Sequence, residues 1–166
     1  LHVLQGTLHL RAPRSGNDVR IDRIDSTITG TSAISVEPFR IYEPTGGTMN
    51  IALRNTINTD NISFMNAGEA SMLARLLPSA SPLGSILAIT PGVEILNKTG
   101  DLALGLANNS NAGSTNVEAL SGADWDLSSF RYGTRQAPGI LTLRAKDDLV
   151  FNNTLSDGFT PIAQGT

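Results

Sequence analysis

Apolar and polar residues alternate along much of this chain, as in Leu8 and Leu10, Val19 and Ile21, and Ile34 and Val36. A period of two marks half-buried strands. The pattern predicts strands over residues 2–5, 7–11, 19–24 and 34–37, with a weaker candidate at 26–29. Turns fall at Ser15-Gly-Asn17 and Thr29-Gly-Thr31. Pro38 lacks a ladder donor, so 39–42 reads as a separate short strand, closed by Pro44-Thr-Gly-Gly47. After a candidate strand at 49–53 the period changes. Met72, Leu73, Leu76 and Leu77 share one face of a helix predicted over 66–77. Asn66 is its expected N-cap, with Glu69 three residues on, Arg75 toward solvent and Pro78 as the stop. Strands resume at 86–89, 93–96 and 101–104, and again at 125–127, 130–133, 140–144 and 149–151. Residues 107–116 are a low-complexity loop, and Ser156-Asp-Gly158 is a last turn.

One unit is written three times: Gly6-Thr-Leu-His-Leu-Arg-Ala12, Pro91-Gly-Val-Glu-Ile-Leu96 and Pro138-Gly-Ile-Leu-Thr-Leu-Arg-Ala145. Each is followed by a polar turn and a second short run that starts with Asp: Asp18-Val-Arg-Ile21, Asp101-Leu-Ala-Leu104 and Asp148-Leu-Val-Phe151. Gly92 to Asp101 is nine positions, and Gly139 to Asp148 is nine again. Strand–turn–strand units with variable insertions are how a solenoid is written. Leu10, Ile95 and Leu143 then point inward, and His9, Glu94 and Thr142 outward. The chain reads as a single all-β solenoid segment over 1–166. A stretch of about 48–88 interrupts it, with a short helix near 60–78 that covers a sheet edge.

Composition sharpens this picture. Of 166 residues, 40% are hydrophobic, 16% charged and 5% aromatic, with sixteen glycines, which suits many short strands and tight turns better than a helical bundle. A net charge of −3 without a basic run longer than a pair speaks against nucleic acid as a partner. The absence of cysteine excludes disulfides, thiolate metal sites and cysteine catalysis. No apolar run is long enough to span a bilayer. Leu1 falls inside a strand-like pattern, so the natural N-terminus, with any export signal, is expected upstream.

The string Asp124-Trp-Asp-Leu-Ser-Ser-Phe-Arg-Tyr-Gly133, then Pro138 to Ala145, then Leu155-Ser-Asp-Gly-Phe159, resembles a segment of filamentous-haemagglutinin-type exoproteins. Leu8-His-Leu-Arg-Ala-Pro-Arg14, Asn55-Thr-Ile-Asn-Thr-Asp60 and Pro91-Gly-Val-Glu-Ile95 carry the likeness across most of the chain, in order. More narrowly, it resembles an uncharacterised domain found toward the C-terminal part of those proteins. The resemblance implies a right-handed parallel β-helix, exported through an outer-membrane secretion partner and displayed at the surface of a Gram-negative bacterium or released from it. It implies adhesion, biofilm or surface-fibre roles, with a host-cell or matrix surface or other copies of the chain as partner. It brings no catalytic residues. At roughly 20–25 residues per coil, the chain would make about six or seven coils, a rod of about 30 Å.

Candidate chemistry is sparse. Some β-helix proteins cleave or bind polysaccharide with carboxylates and calcium, which makes that the alternative function. A self-assembling fibre subunit is a third. Asp124 and Asp126 share a strand face, but alternation alone predicts this, with Trp125 as core. Asp147 and Asp148 point to opposite sides and read as a coil corner. His2 and His9 match no triad, and His9 reads as an outer-face residue. Gly100-Asp and Ser156-Asp-Gly are too few for a calcium-binding array. Arg11 and Arg144 hold the same place in two copies and are expected to pair with Glu94 and nearby Asp residues. Phe130, Arg131 and Tyr132 could touch sugar or pack a loop, and packing is favoured. The expectation is a non-enzyme, with no catalytic residue, no metal and no cofactor, and with its binding residues undefined.

Overall fold

The computed structural model describes residues 6–105, 125–126, 130–152 and 155–156. In chain order its first strands are β1 (Gly6–Ser15), β2 (Asp18–Val19), β3 (Thr31–Tyr42) and β4 (Thr48–Met49), followed by helix α1 (Ile51–Leu76). Then come β5 (Leu87–Ile89), β6 (Gly92–Asn97), β7 (Leu102–Leu104), β8 (Trp125–Asp126), β9 (Arg131–Tyr132) and β10 (Ala137–Pro138). The described chain closes with β11 (Ile140–Ala145), β12 (Leu149–Phe151) and β13 (Leu155–Ser156).

A parallel ladder forms the spine: β1 pairs β3, β3 pairs β6 and β6 pairs β11. The short β2 returns antiparallel on the end of β1, and β5 lies parallel beside the first half of β3. A second parallel ladder runs β4, β7, β12. The hairpin β9–β10 is antiparallel, and β8 pairs β13 in parallel. One core joins these parts. Ile34, Val36, Leu87, Ile89, Val93 and Ile95 of the larger sheet meet Met49, Leu102 and Leu104 of the smaller one and Ile57, Met65, Met72 and Leu76 of α1. Each such side chain stabilises the fold by about 1.5–3 kcal/mol when fully buried.

Pairing keeps one register across an interruption. Val36 faces Ile89 and Phe39 faces Gly92, so Thr90 and Pro91 stand opposite Glu37 and Pro38. Two residues without an amide donor, Pro38 and Pro91, thus share the break between β5 and β6. This is why Pro38 does not end its strand. Residues 34–37 and 39–42, predicted as two strands, are the single β3.

The fold class differs from the expected one. The protein is not an all-β parallel solenoid with a short helical insertion; it is mixed α/β, combining parallel and antiparallel pairs with a helix of 26 residues. Nor are the rungs evenly sized. Ile34 lies 26 residues after its partner Leu8, whereas Gly92 lies 53 after Phe39 and Ile140 lies 48 after Gly92. The estimate of 20–25 residues per coil fails beyond the first rung.

Helix α1 starts at Ile51, 15 residues before the predicted position, and is capped by Asn50, whose side chain accepts from the Leu53 amide. Its buried face is Ile57, Asn61, Phe64, Met65, Gly68, Glu69, Met72 and Leu76. The spacing is helical, but the first half buries only Ile57 and Asn61, too sparse an apolar stripe for a search by periodicity to register. Asn66 is an exposed mid-helix residue, not a cap. Glu69 faces inward and accepts from the Thr134 amide (2.8 Å) and hydroxyl (3.1 Å), fixing the β9–β10 turn. Gly68 is required by contact: a Cβ there would lie 2.0 Å from the Asn17 carbonyl oxygen.

The strand predicted over 19–24 stops at Val19 because its backbone bonds elsewhere. Arg75, expected in solvent, grips the Asp18 carboxylate with Nε and Nη2 (both 2.7 Å) and donates to the Val19 and Ile21 carbonyls. The Ile24 amide donates to the Leu76 carbonyl. Residues 26–29 form no strand, and 49–53 divides into the end of β4 and the first turn of α1.

A candidate site between the helix and the sheet

Strand alternation continues Leu8, Leu10 and Ala12 into Arg14, so an arginine arrives on the core side of β1. Its side chain is 8% exposed. A guanidinium that far from water must be paired, and α1 supplies the partners. Arg14 Nη1 donates to Asp60 Oδ2 at 3.0 Å, and Nη2 donates to Asn61 Oδ1. Its Nε reaches the Pro38 carbonyl at 3.3 Å, and its plane lies 4.1 Å from the Phe64 ring centre. Burial pulls Arg14 below its ordinary pKa, against the opposing pull of Asp60. It stays cationic at any physiological pH.

Asp60 is the hub. Besides Arg14 it accepts from Arg40 Nη1 at 2.6 Å and from the Tyr42 hydroxyl. Burial and that hydrogen bond push Tyr42 well above the usual phenol value. Tyr132, which donates to Asn58 Oδ1 at 2.9 Å, is raised to about 12, chiefly by burial. Both phenols keep their protons, and three donors occupy the carboxylate. The cluster holds charge in place and is not arranged to move protons.

Beside it opens a cleft of about 760 Å³ between α1 and the ends of β1 and β3. Pro13, Phe39 and Phe64 give it apolar walls, Asn17 and Ser63 give polar ones, and Arg40 and Asp60 lie along it. The Arg40 side chain is 56% exposed.

The opposite face of the larger sheet carries a second ionic network. Glu37 is fully buried. Arg11 Nε donates to its Oε1 at 3.1 Å, and His9 Nε2 stands 2.8 Å from its Oε2. Among the described residues that oxygen has no other partner, so it is satisfied when His9 carries its proton on Nε2. Arg11 Nη2 also donates to Glu94 Oε2 at 2.6 Å, and Arg144 Nη1 donates to Glu94 Oε1 at 2.9 Å. Arg11 stacks 3.8 Å from the Phe39 ring centre. Gly92 makes room for this: a Cβ there would lie 2.2 Å from Glu37 Oε1.

Arg11 and Arg144 therefore do meet on Glu94, but Glu94 is only 2% exposed, not the open outer residue expected. Ile95 is buried, and Leu10 and Leu143 are partly buried against the core. Phe130 and Tyr132 are buried in that core, as packing requires. Asp101 Oδ1 accepts from the Asp148 amide at 3.0 Å, a contact between stacked corners. His2, Asp124, Leu127 and the loop at 107–116 lie outside the described residues, as do the turn at Asp157-Gly158 and the Trp125 and Asp126 side chains.

Sequence reasoning missed Arg14, Arg40, Tyr42, Asp60 and Asn61. The available signal was an arginine at the core parity of a strand, two residues beyond Ala12. Among the described residues, no group of three or more carboxylate or histidine side chains is placed to hold a metal ion. No helix among them is long and apolar enough to cross a membrane. A scan against protein-family models finds no match, and searches of curated proteins and of solved structures find none either.

Proposed function

We propose that the chain is a non-enzymatic structural and adhesive segment of a large secreted or surface-displayed bacterial exoprotein, acting in adhesion, biofilm or surface-fibre assembly. The observation that supports it is the edge formed by β11 and β12. Each has one paired neighbour among the described residues, β6 and β7 respectively. Leu149 and Phe151 on β12 are 43% and 55% exposed. An unpaired parallel edge with apolar side chains accepts a further strand, from another copy or from an adjoining part of a longer protein. The full-length protein would need an outer-membrane secretion partner.

Beads coated with the chain should adhere to a cell- or matrix-coated surface, and soluble chain should compete them off. Sedimentation should also show concentration-dependent association. Beads that never adhere would remove the adhesive part of the reading, and a strictly monomeric chain the assembly part. Cleavage of a glycan that disappears in Asp126→Ala would replace the proposal with the polysaccharide-cleaving alternative.

A further inference from the structure

We infer that the cleft beside Asp60 binds a carboxylate-bearing pyranose, a sugar of the uronic acid class, through the outward side of Arg40. The first ground is charge. Two guanidinium groups, of Arg14 and Arg40, face one carboxylate, so the cleft keeps a net positive charge on a chain whose total is −3. Arg14 uses its fork inward, on Asp60 and Asn61. Arg40 spends Nη1 on Asp60, and among the described residues its remaining N–H groups have no acceptor. A guanidinium held at one nitrogen and open at the others presents a pre-oriented donor edge to an incoming carboxylate.

The second ground is the lining. Pro13, Phe39 and Phe64 supply apolar surface of the kind that packs against the C–H face of a sugar ring, while Asn17 and Ser63 add polar groups of the kind that hydrogen-bond ring hydroxyls. The volume of about 760 Å³ lies within the usual range for small-molecule sites, about 300–1,000 Å³. The third ground is rigidity. Asp60 is locked by Arg14, Arg40 and Tyr42, and the Gly68–Asn17 contact fixes α1 against the β1–β2 turn. A bound ligand therefore meets a preformed wall and loses little to reorganisation. For its purpose the inference rests on the adhesive reading above; its chemistry does not, since none of these residues belongs to the β11–β12 edge.

The test titrates the whole chain with trigalacturonate and with its neutral methyl ester, by calorimetry, at low and at high salt. Saturable binding of the acid is expected, at least tenfold tighter than the ester and weakened by salt. Arg40→Ala should lose at least tenfold, while Arg144→Ala, which removes a cation from the other face, should bind as the unaltered chain does. Ser63→Trp fills the cleft from an exposed helix position and should abolish binding even if Arg40→Ala proves poorly folded. Equal binding of acid and ester would overturn the inference. So would undiminished binding by Ser63→Trp, equal loss in Arg144→Ala, or equally tight binding of inorganic phosphate. Self-association is measured separately in the same samples, so failure of the cleft and failure of the assembly reading are told apart.

Discussion

Strands β3 and β11 belong to one parallel sheet and carry similar alternating patterns, yet the sheet treats them differently. In β3, Ile34 and Val36 are 1% and 0% exposed, because β1 covers one side and β5 and β6 the other. Leu141 and Leu143 of β11 are only partly buried, and the neighbouring β12 leaves Phe151 more than half exposed. With rungs on both sides, the inward-pointing side chains of β3 are shut off from solvent, whereas those of β11 have a rung on one side only among the described residues. The helix widens the difference: α1 packs its stripe into the same core cluster as β3, while among the described residues β11 and β12 have a neighbour on one side alone.

The largest effect that would sharpen this contrast is at the helix. Leu76→Asp forces an unpaired charge into a fully buried position and should cost several kcal/mol, about 4 or more, read as a collapsed thermal midpoint. A change within about half a kcal/mol would mean that α1 is not what closes this end of the core. Next comes the paired test of the strands. Ile34→Ala should cost about 2–5 kcal/mol, and Leu143→Ala clearly less, by chemical denaturation. Equal costs would break the comparison.

A smaller effect concerns acid. Burial pushes Glu94 up, but hydrogen bonds from Arg11 and Arg144 and their charges outweigh it, so its pKa lies below the ordinary value. Asp18 is lowered too, first by its hydrogen bond from Arg75. A depressed folded pKa contributes stability that is complete above the unfolded value of about 4–4.5 and is lost as pH falls through the folded value. The thermal midpoint should therefore drop below about pH 4, and Glu94→Gln should flatten that drop. An unchanged slope would show that Glu94 is not the group responsible. The smallest expected effect is Phe151→Lys at the open edge: within about half a kcal/mol on folding, but with the self-association of the chain weakened. A large loss of stability would mean that Phe151 is not a surface residue.

What the sequence by itself determined is local. Alternation located β1, β6, β11 and β12, because a strand's two faces are a property of its own backbone. Recurrence of Pro-Gly before β6 and near β11 pointed to rungs that do stack, with Val93 opposite Leu141 and Ile95 opposite Leu143. The Met72 and Leu76 stripe and Pro78 located the end of α1. Tertiary structure alone decided the rest. Helix α1 turns Asn61 and Gly68 inward, and neither is apolar enough to mark a buried face until Arg14 and the Asn17 carbonyl stand opposite them. Pro38 reads as a strand end until Pro91 fills the facing position. Glu94 reads as an outer-face charge until Arg11, 83 residues away, donates to it and to the buried Glu37, 26 residues from that arginine. In each case the residue's state depends on a partner distant in the chain, and alternation carries no information about which strand will lie beside it. The candidate site was invisible for the same reason: Arg14, Arg40 and Asp60 become a cleft only when β1, β3 and α1 meet.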